Sequence, residues 1–167
     1  ATFQMISHGL LSGLLFMVVG VVYNTTHTRM VGDMSGIADK MPVTVAVFVA
    51  GAFGYMGLPL MSGFIAELFV FIGAFGAAFP SAPLFTGLGM FGIVIVAGYL
   101  LFAMQRTLFG AYRVDTDYDA APAPVHDVAP LVVLILIVVV LGVAPDLVFG
   151  MIQDAVNPIV ELAGGGA

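Results

Sequence analysis

The stretch VTVAVFVAGAFGYMGLPLMSGFIAELFVFIGAFGAAF, residues 43–79, carries a single charge, Glu67, and is bounded by Pro42 and Pro80. Drawn as one straight helix at ~1.5 Å per residue, it would be about 55 Å long, well past a ~30 Å hydrocarbon core. Two complete crossings need roughly 40 residues plus a turn, more than the stretch supplies. One crossing with an interruption fits. GLPLMSG, residues 57–63, is that interruption: Gly57 and Gly63 tolerate unwound backbone and Pro59 lacks a donor. Unwound backbone at membrane depth survives only against protein or a hydrated cavity. A helix broken around Gly57, Pro59, Ser62 and Gly63 therefore points to a transport site.

Outward from this segment, three more apolar runs are membrane-sized: about 2–23, 84–105 and 128–144. The predicted fold is an all-α integral membrane protein of one domain. It has four transmembrane spans, the second broken, and a short interfacial helix over about 146–162. In that tail Leu147, Val148, Met151, Ile152 and Ala155 recur at helical spacing, with Gln153, Asp154 and Glu161 between. The chain opens at Ala1, at the edge of an apolar run, as expected of a processed chain or a piece of a longer one.

Composition agrees: 61% of residues are hydrophobic and 8% charged, too few charges to cover a water-facing surface. No cysteine is present, which excludes disulfides and thiolate metal sites. The net charge of −6 arises in loops and tail, at Asp33, Asp39, Asp115, Asp117, Asp119, Asp127, Asp146, Asp154 and Glu161. No basic patch is available to neutralise phosphates, so nucleic acid is not an expected partner. Arg29, Lys40, Arg106 and Arg113 all lie in or beside loops 24–42 and 106–127. The positive-inside rule places those loops in the cytoplasm of a prokaryote, with the spans in its plasma membrane.

Glu67 is the candidate functional residue. Near the start of the second half-helix, the helix N-terminus favours the carboxylate while desolvation favours the neutral acid, a balance suited to a proton carrier. A charge near the bilayer centre costs ~2.5–3.5 kcal/mol or more, so such residues usually serve a function. The competing account is a protonated acid acting as interhelical glue. His8, about two turns into the first span and flanked by Gln4, Ser7 and Ser12, suits a proton relay or an interhelical hydrogen bond equally. His27 and His126 lie near loop ends and read as solvated or capping residues. No histidines share a helix at ligand spacing, and no nucleophilic constellation or phosphate loop is present.

Several motifs in order resemble a known family. QMISHGLLSGLLFMVVGVVYNTTHTR (4–29), GLPLMSGFIAELFVFIGAF (57–75) and AMQRTLFG (103–110) are similar to the antiporter-like M-type chain, subunit 4, of NADH:quinone oxidoreductase, respiratory complex I. The similarity covers the C-terminal third of that subunit. It implies proton translocation by a non-catalytic membrane-arm subunit of a quinone-reducing complex, with Glu67 the outer member of a polar axis and His8 a relay on it. It implies no cofactor in this chain, and quinone and redox centres in partner subunits. Glu rather than Lys at position 67 favours the M-type chain over the cation/proton antiporter relatives. That antiporter reading, and a non-conducting structural fragment, are the alternatives. Two departures stand out. Leu60-Met61 replace the family's Gly-Thr at the break, and the central lysines of the axis are absent.

Overall fold

Prolines mark where helices begin. A computed structural model describes residues 1–118 and 120–164; Asp119, one of the loop acids, and residues 165–167 lie outside the described residues. Helix α1 spans Thr2–Thr26 and ends on His27, whose left-handed backbone (φ 55°) lets its N–H cap the Tyr23 carbonyl. Helix α2, Pro42–Tyr55, starts on a proline, whose missing donor is harmless at a helix N-terminus. Helix α3 is Ser62–Phe75, α4 Ala82–Leu108, α5 Val125–Val143 and α6 Asp146–Gly164. Among the described residues, only α1, α4 and α5 are long and apolar enough to cross a membrane alone; α2 and α3 have 14 residues each.

The break between α2 and α3 falls at 56–61, slightly earlier than the expected 57–63, because Ser62 and Gly63 already form the first turn of α3. Glu67 is consequently in the second turn of α3, not its first. The field of the helix N-terminus decays over the first turn, so it acts on Glu67 less than the sequence suggested. Within the break, Gly57 (φ 70°) and Leu60 (φ 75°) both take left-handed backbone. Leucine there costs roughly 1–2 kcal/mol, and its side chain is 68% exposed, so little packing offsets it. Gly142 of α5 lies against the Leu60 carbonyl, which fixes the turn. Leu60→Gly should therefore raise stability by about 1 kcal/mol, read as a higher denaturation midpoint. A lower midpoint would contradict the left-handed turn.

α1 forms the centre of the bundle, packing along α2, α3 and α5. One-third of its apolar window (33%) is buried, against 6% for α4, which stands at the side against α3. Leu14 and Val18 of α1 and Leu131 and Val138 of α5 are fully buried. Phe85, Leu88, Phe91, Val94, Ile95 and Phe102 of α4 are exposed, a face that only lipid or further protein can cover.

At one end, a strand pair that the all-α expectation did not contain ties two loops together. β1 (Met34–Ser35) pairs antiparallel with β2 (Arg113–Val114). The Asp115 N–H donates to the Asp33 carbonyl at 2.8 Å, and Arg113 donates to the Gly32 carbonyl. The basic residues gather at this end: Arg29 stacks over Tyr23, Lys40 over Tyr112 and Arg106 over Phe102. At the other end α6 docks through Phe149, stacked on Phe3 (5.0 Å) and tilted against Phe69 (4.9 Å). Val148 and Ile152 join that contact, whereas Leu147 and Met151, expected on the same stripe, are exposed. The sequence reading overlooked Phe149 as the anchor.

Candidate functional site

Where α1 crosses the break, polar groups from three helices converge. Gln4, Ser7 and His8 occupy one face of α1 at the i, i+3, i+4 spacing that aligns side chains on a helix. Tyr55 closes α2, and Glu67 projects from α3 one turn beyond Gly63. Together they line a cavity of about 40 Å³. A far larger cavity, about 520 Å³, opens among Met41, Val43, Val128 and Val132 at the other end, but no ionisable group lines it. Of the two, the small cavity has ionisable side chains in its lining, His8, Tyr55 and Glu67.

Small residues make the convergence possible. A β-carbon on Gly63 would strike the Gly54 carbonyl, so α2 and α3 meet here backbone to backbone. Beside it, Ser7 Oγ and Ser62 Oγ share a buried hydrogen bond of 2.8 Å that pins α1 to the first residue of α3. A β-carbon on Gly57 would run into Glu67 Oε2; the carboxyl is folded back over the break. Glu67 is half-buried. Among the described residues no hydrogen-bond donor or cation pairs with it.

Gly57→Ala should therefore incur two penalties, left-handed backbone for a residue with a β-carbon and displacement of the Glu67 carboxyl. A loss of about 1–3 kcal/mol is expected, read as a lower unfolding midpoint of the purified protein. Unchanged stability would contradict the carboxyl's position.

His8 is exposed at the edge of the cavity. Ser12 Oγ donates its one proton to the His8 carbonyl at 2.6 Å, so toward His8 Nδ1, 3.1 Å away, it can only accept. In the neutral imidazole Nδ1 then carries the hydrogen, and Nε2 accepts from the Tyr55 hydroxyl at 2.8 Å.

Glu67 and His8, far apart in sequence, thus border one cavity. Of the residues expected at the break, Gly57 lies under the carboxyl, Ser62 bonds Ser7, and Gly63 makes the helix crossing. Pro59 is exposed in the turn and does not line the cavity. Of the other histidines, His27 caps α1 and packs on Tyr118 (4.0 Å), while His126 is exposed beside Asp127. Sequence reasoning missed Tyr55, although it is the only tyrosine between 43 and 79. Among the described residues no cluster of His, Asp or Glu could hold a metal ion.

The profile of the transmembrane family described as NADH:quinone oxidoreductase/Mrp antiporter matches residues 1–96. The chain is 34% identical over 165 residues to F420H2 dehydrogenase subunit M of Methanosarcina mazei, covering 99% of this chain and 32% of that protein. It is 34% identical over 151 residues to NAD(P)H-quinone oxidoreductase chain 4 1 of Synechococcus elongatus, covering 88% of this chain and 28% of that one. Among solved structures, a chain of the membrane-bound sulfane sulfur reductase, an archaeal respiratory membrane complex, superposes with a TM-score of 0.78 at 29% identity. That match covers 86% of this chain and 23% of the other. The chain spans about a third of the length of the curated relatives it matches.

Proposed function

The chain belongs to the NADH:quinone oxidoreductase/Mrp antiporter transmembrane family, and from that footing we propose that it is a proton-translocating piece of the membrane arm of a quinone-reducing respiratory complex. One observation carries the proposal. Glu67, the only charge in its membrane segment, faces a polar cavity at a helix break and shares that cavity with His8. An acid so placed is costly unless it is used.

In this mechanism Glu67 takes a proton from a basic group supplied by the rest of the subunit and releases it outward, with His8 and water as relays. The unwound turn keeps the carboxyl beside backbone rather than lipid. The chain works without a cofactor of its own; quinone and redox centres sit in partner subunits, where electron transfer biases the loading and unloading of Glu67. The matched relatives' names carry different electron donors, F420H2 in one and NAD(P)H in another, which suits a shared piece remote from electron entry.

Four crossings is the reading supported by the strand pair. It joins the loop after α1 to the loop after α4, which supports a single passage made by α2 and α3 together. The basic residues at that end favour loops 24–42 and 106–127 in the cytoplasm, with the spans in a prokaryotic plasma membrane. α6 then lies along the outer surface.

The family description also names Mrp antiporters, which makes cation/proton exchange the second reading. The intact complex in liposomes separates them. Proton movement that requires quinone reduction, and stops with a quinone-site inhibitor, supports the respiratory reading. Proton movement driven by an imposed sodium gradient without any redox reaction would overturn it.

A further inference from the structure

We propose that the Tyr55 hydroxyl, together with water oriented by Gln4, closes the gap between Glu67 and His8. The inference rests on the proton-translocating reading above and deepens it by naming the groups between its two titratable residues.

Gln4 supplies the first observation. Its side-chain carbonyl oxygen Oε1 is buried and has no hydrogen-bond partner among the described residues. It lines the same cavity as the Glu67 carboxyl, which also has no partner among them. Two acceptors on one cavity cannot satisfy each other while the acid is ionised; each needs a donor. A water requires only ~10–15 Å³ and two or more polar neighbours, so a cavity of about 40 Å³ has room for more than one. A water donating one hydrogen to Gln4 Oε1 has its other hydrogen for the carboxylate. Once Glu67 is protonated, the same water keeps its lone pairs free to accept the acid's proton. Gln4 is thus a positioning residue.

Tyr55 supplies the second. Its hydroxyl hydrogen is committed to His8 Nε2 at 2.8 Å, while its oxygen lone pairs remain available to cavity water. A proton arriving from water bonds to the phenol oxygen as the original O–H bond breaks and its hydrogen passes to Nε2. The tyrosine ends as it began and the imidazole becomes an imidazolium. The Ser7–Ser62 hydrogen bond commits one of those two hydroxyl hydrogens, and neither serine makes the direct bond to His8 that Tyr55 makes.

The test compares Tyr55→Phe and Gln4→Leu with Glu67→Gln in the full complex reconstituted in liposomes. Tyr55→Phe keeps the ring and removes only the link. Each of the first two is expected to lower the pumping rate about tenfold and to raise the H2O/D2O rate ratio, since proton transfer becomes limiting. A packing role alone would leave that ratio unchanged. Wild-type rate, or a reduced rate with an unchanged isotope ratio, in either variant overturns the role of that residue. If Gln4→Leu fails to assemble, Tyr55→Phe decides alone. If Glu67→Gln itself pumps normally, the underlying functional reading fails; if only it is impaired, that reading stands and the present inference falls.

Discussion

Glu67→Gln is expected to abolish proton translocation while leaving the complex assembled. Glutamine matches glutamate in shape and keeps one carbonyl oxygen to lie over Gly57, where the carboxyl now sits. What it lacks is a proton that can be taken up and released. Groups that transfer protons in a rate-determining step contribute ~10²- to 10⁴-fold, so pumping should fall by about 10²-fold or more. The variant also separates function from interhelical glue, since an amide supports hydrogen bonds between helices at least as well as a protonated acid. Glu67→Asp should be intermediate: it titrates, but its shorter side chain withdraws the carboxyl from the break. Wild-type pumping by Glu67→Gln, measured as proton movement coupled to quinone reduction in liposomes, would remove Glu67 from the path.

The second large effect is structural. Gly63→Ala places a methyl group against the Gly54 carbonyl, where both partners are backbone and neither can rotate aside. Overpacking in well-packed interiors costs ~1–3 kcal/mol when side chains can adjust, and here the relief must come from separating α2 and α3. That separation would also pull Ser62 from Ser7, which exposes a buried hydroxyl pair. Expected outcomes are a thermal midpoint several degrees lower for the purified complex and a reduced yield of assembled subunit. A variant as stable as the wild type would show that the two half-helices do not meet at this point.

The broken helix was legible because its cause is local. Pro59 and Gly57 interrupt an apolar run whose length fits one passage and not two, and Glu67 stands out as its lone charge. His8 was legible as a polar oddity on an apolar helix. That His8 borders the same cavity as Glu67 was not, since it depends on how α1 crosses the break. Tyr55 escaped notice because a tyrosine near the end of an apolar helix is ordinary; only the 2.8 Å contact with His8 distinguishes it. The strand pair joins residues about eighty positions apart through two-residue strands, too short for any periodicity to announce. Leu60 is instructive in another way. The resemblance flagged it as standing where glycine is usual, and its backbone is left-handed with leucine in place. Leucine here holds a backbone conformation that suits glycine best.

The central claim is that the Glu67 carboxyl gains and loses a proton during turnover. Infrared difference spectroscopy of the working complex in membranes tests it most directly. A carbonyl-stretch band of a protonated carboxylic acid should appear and vanish as quinone is reduced, shift in D2O, and be absent from Glu67→Gln. Full pumping with no such Glu67-dependent band would contradict the account.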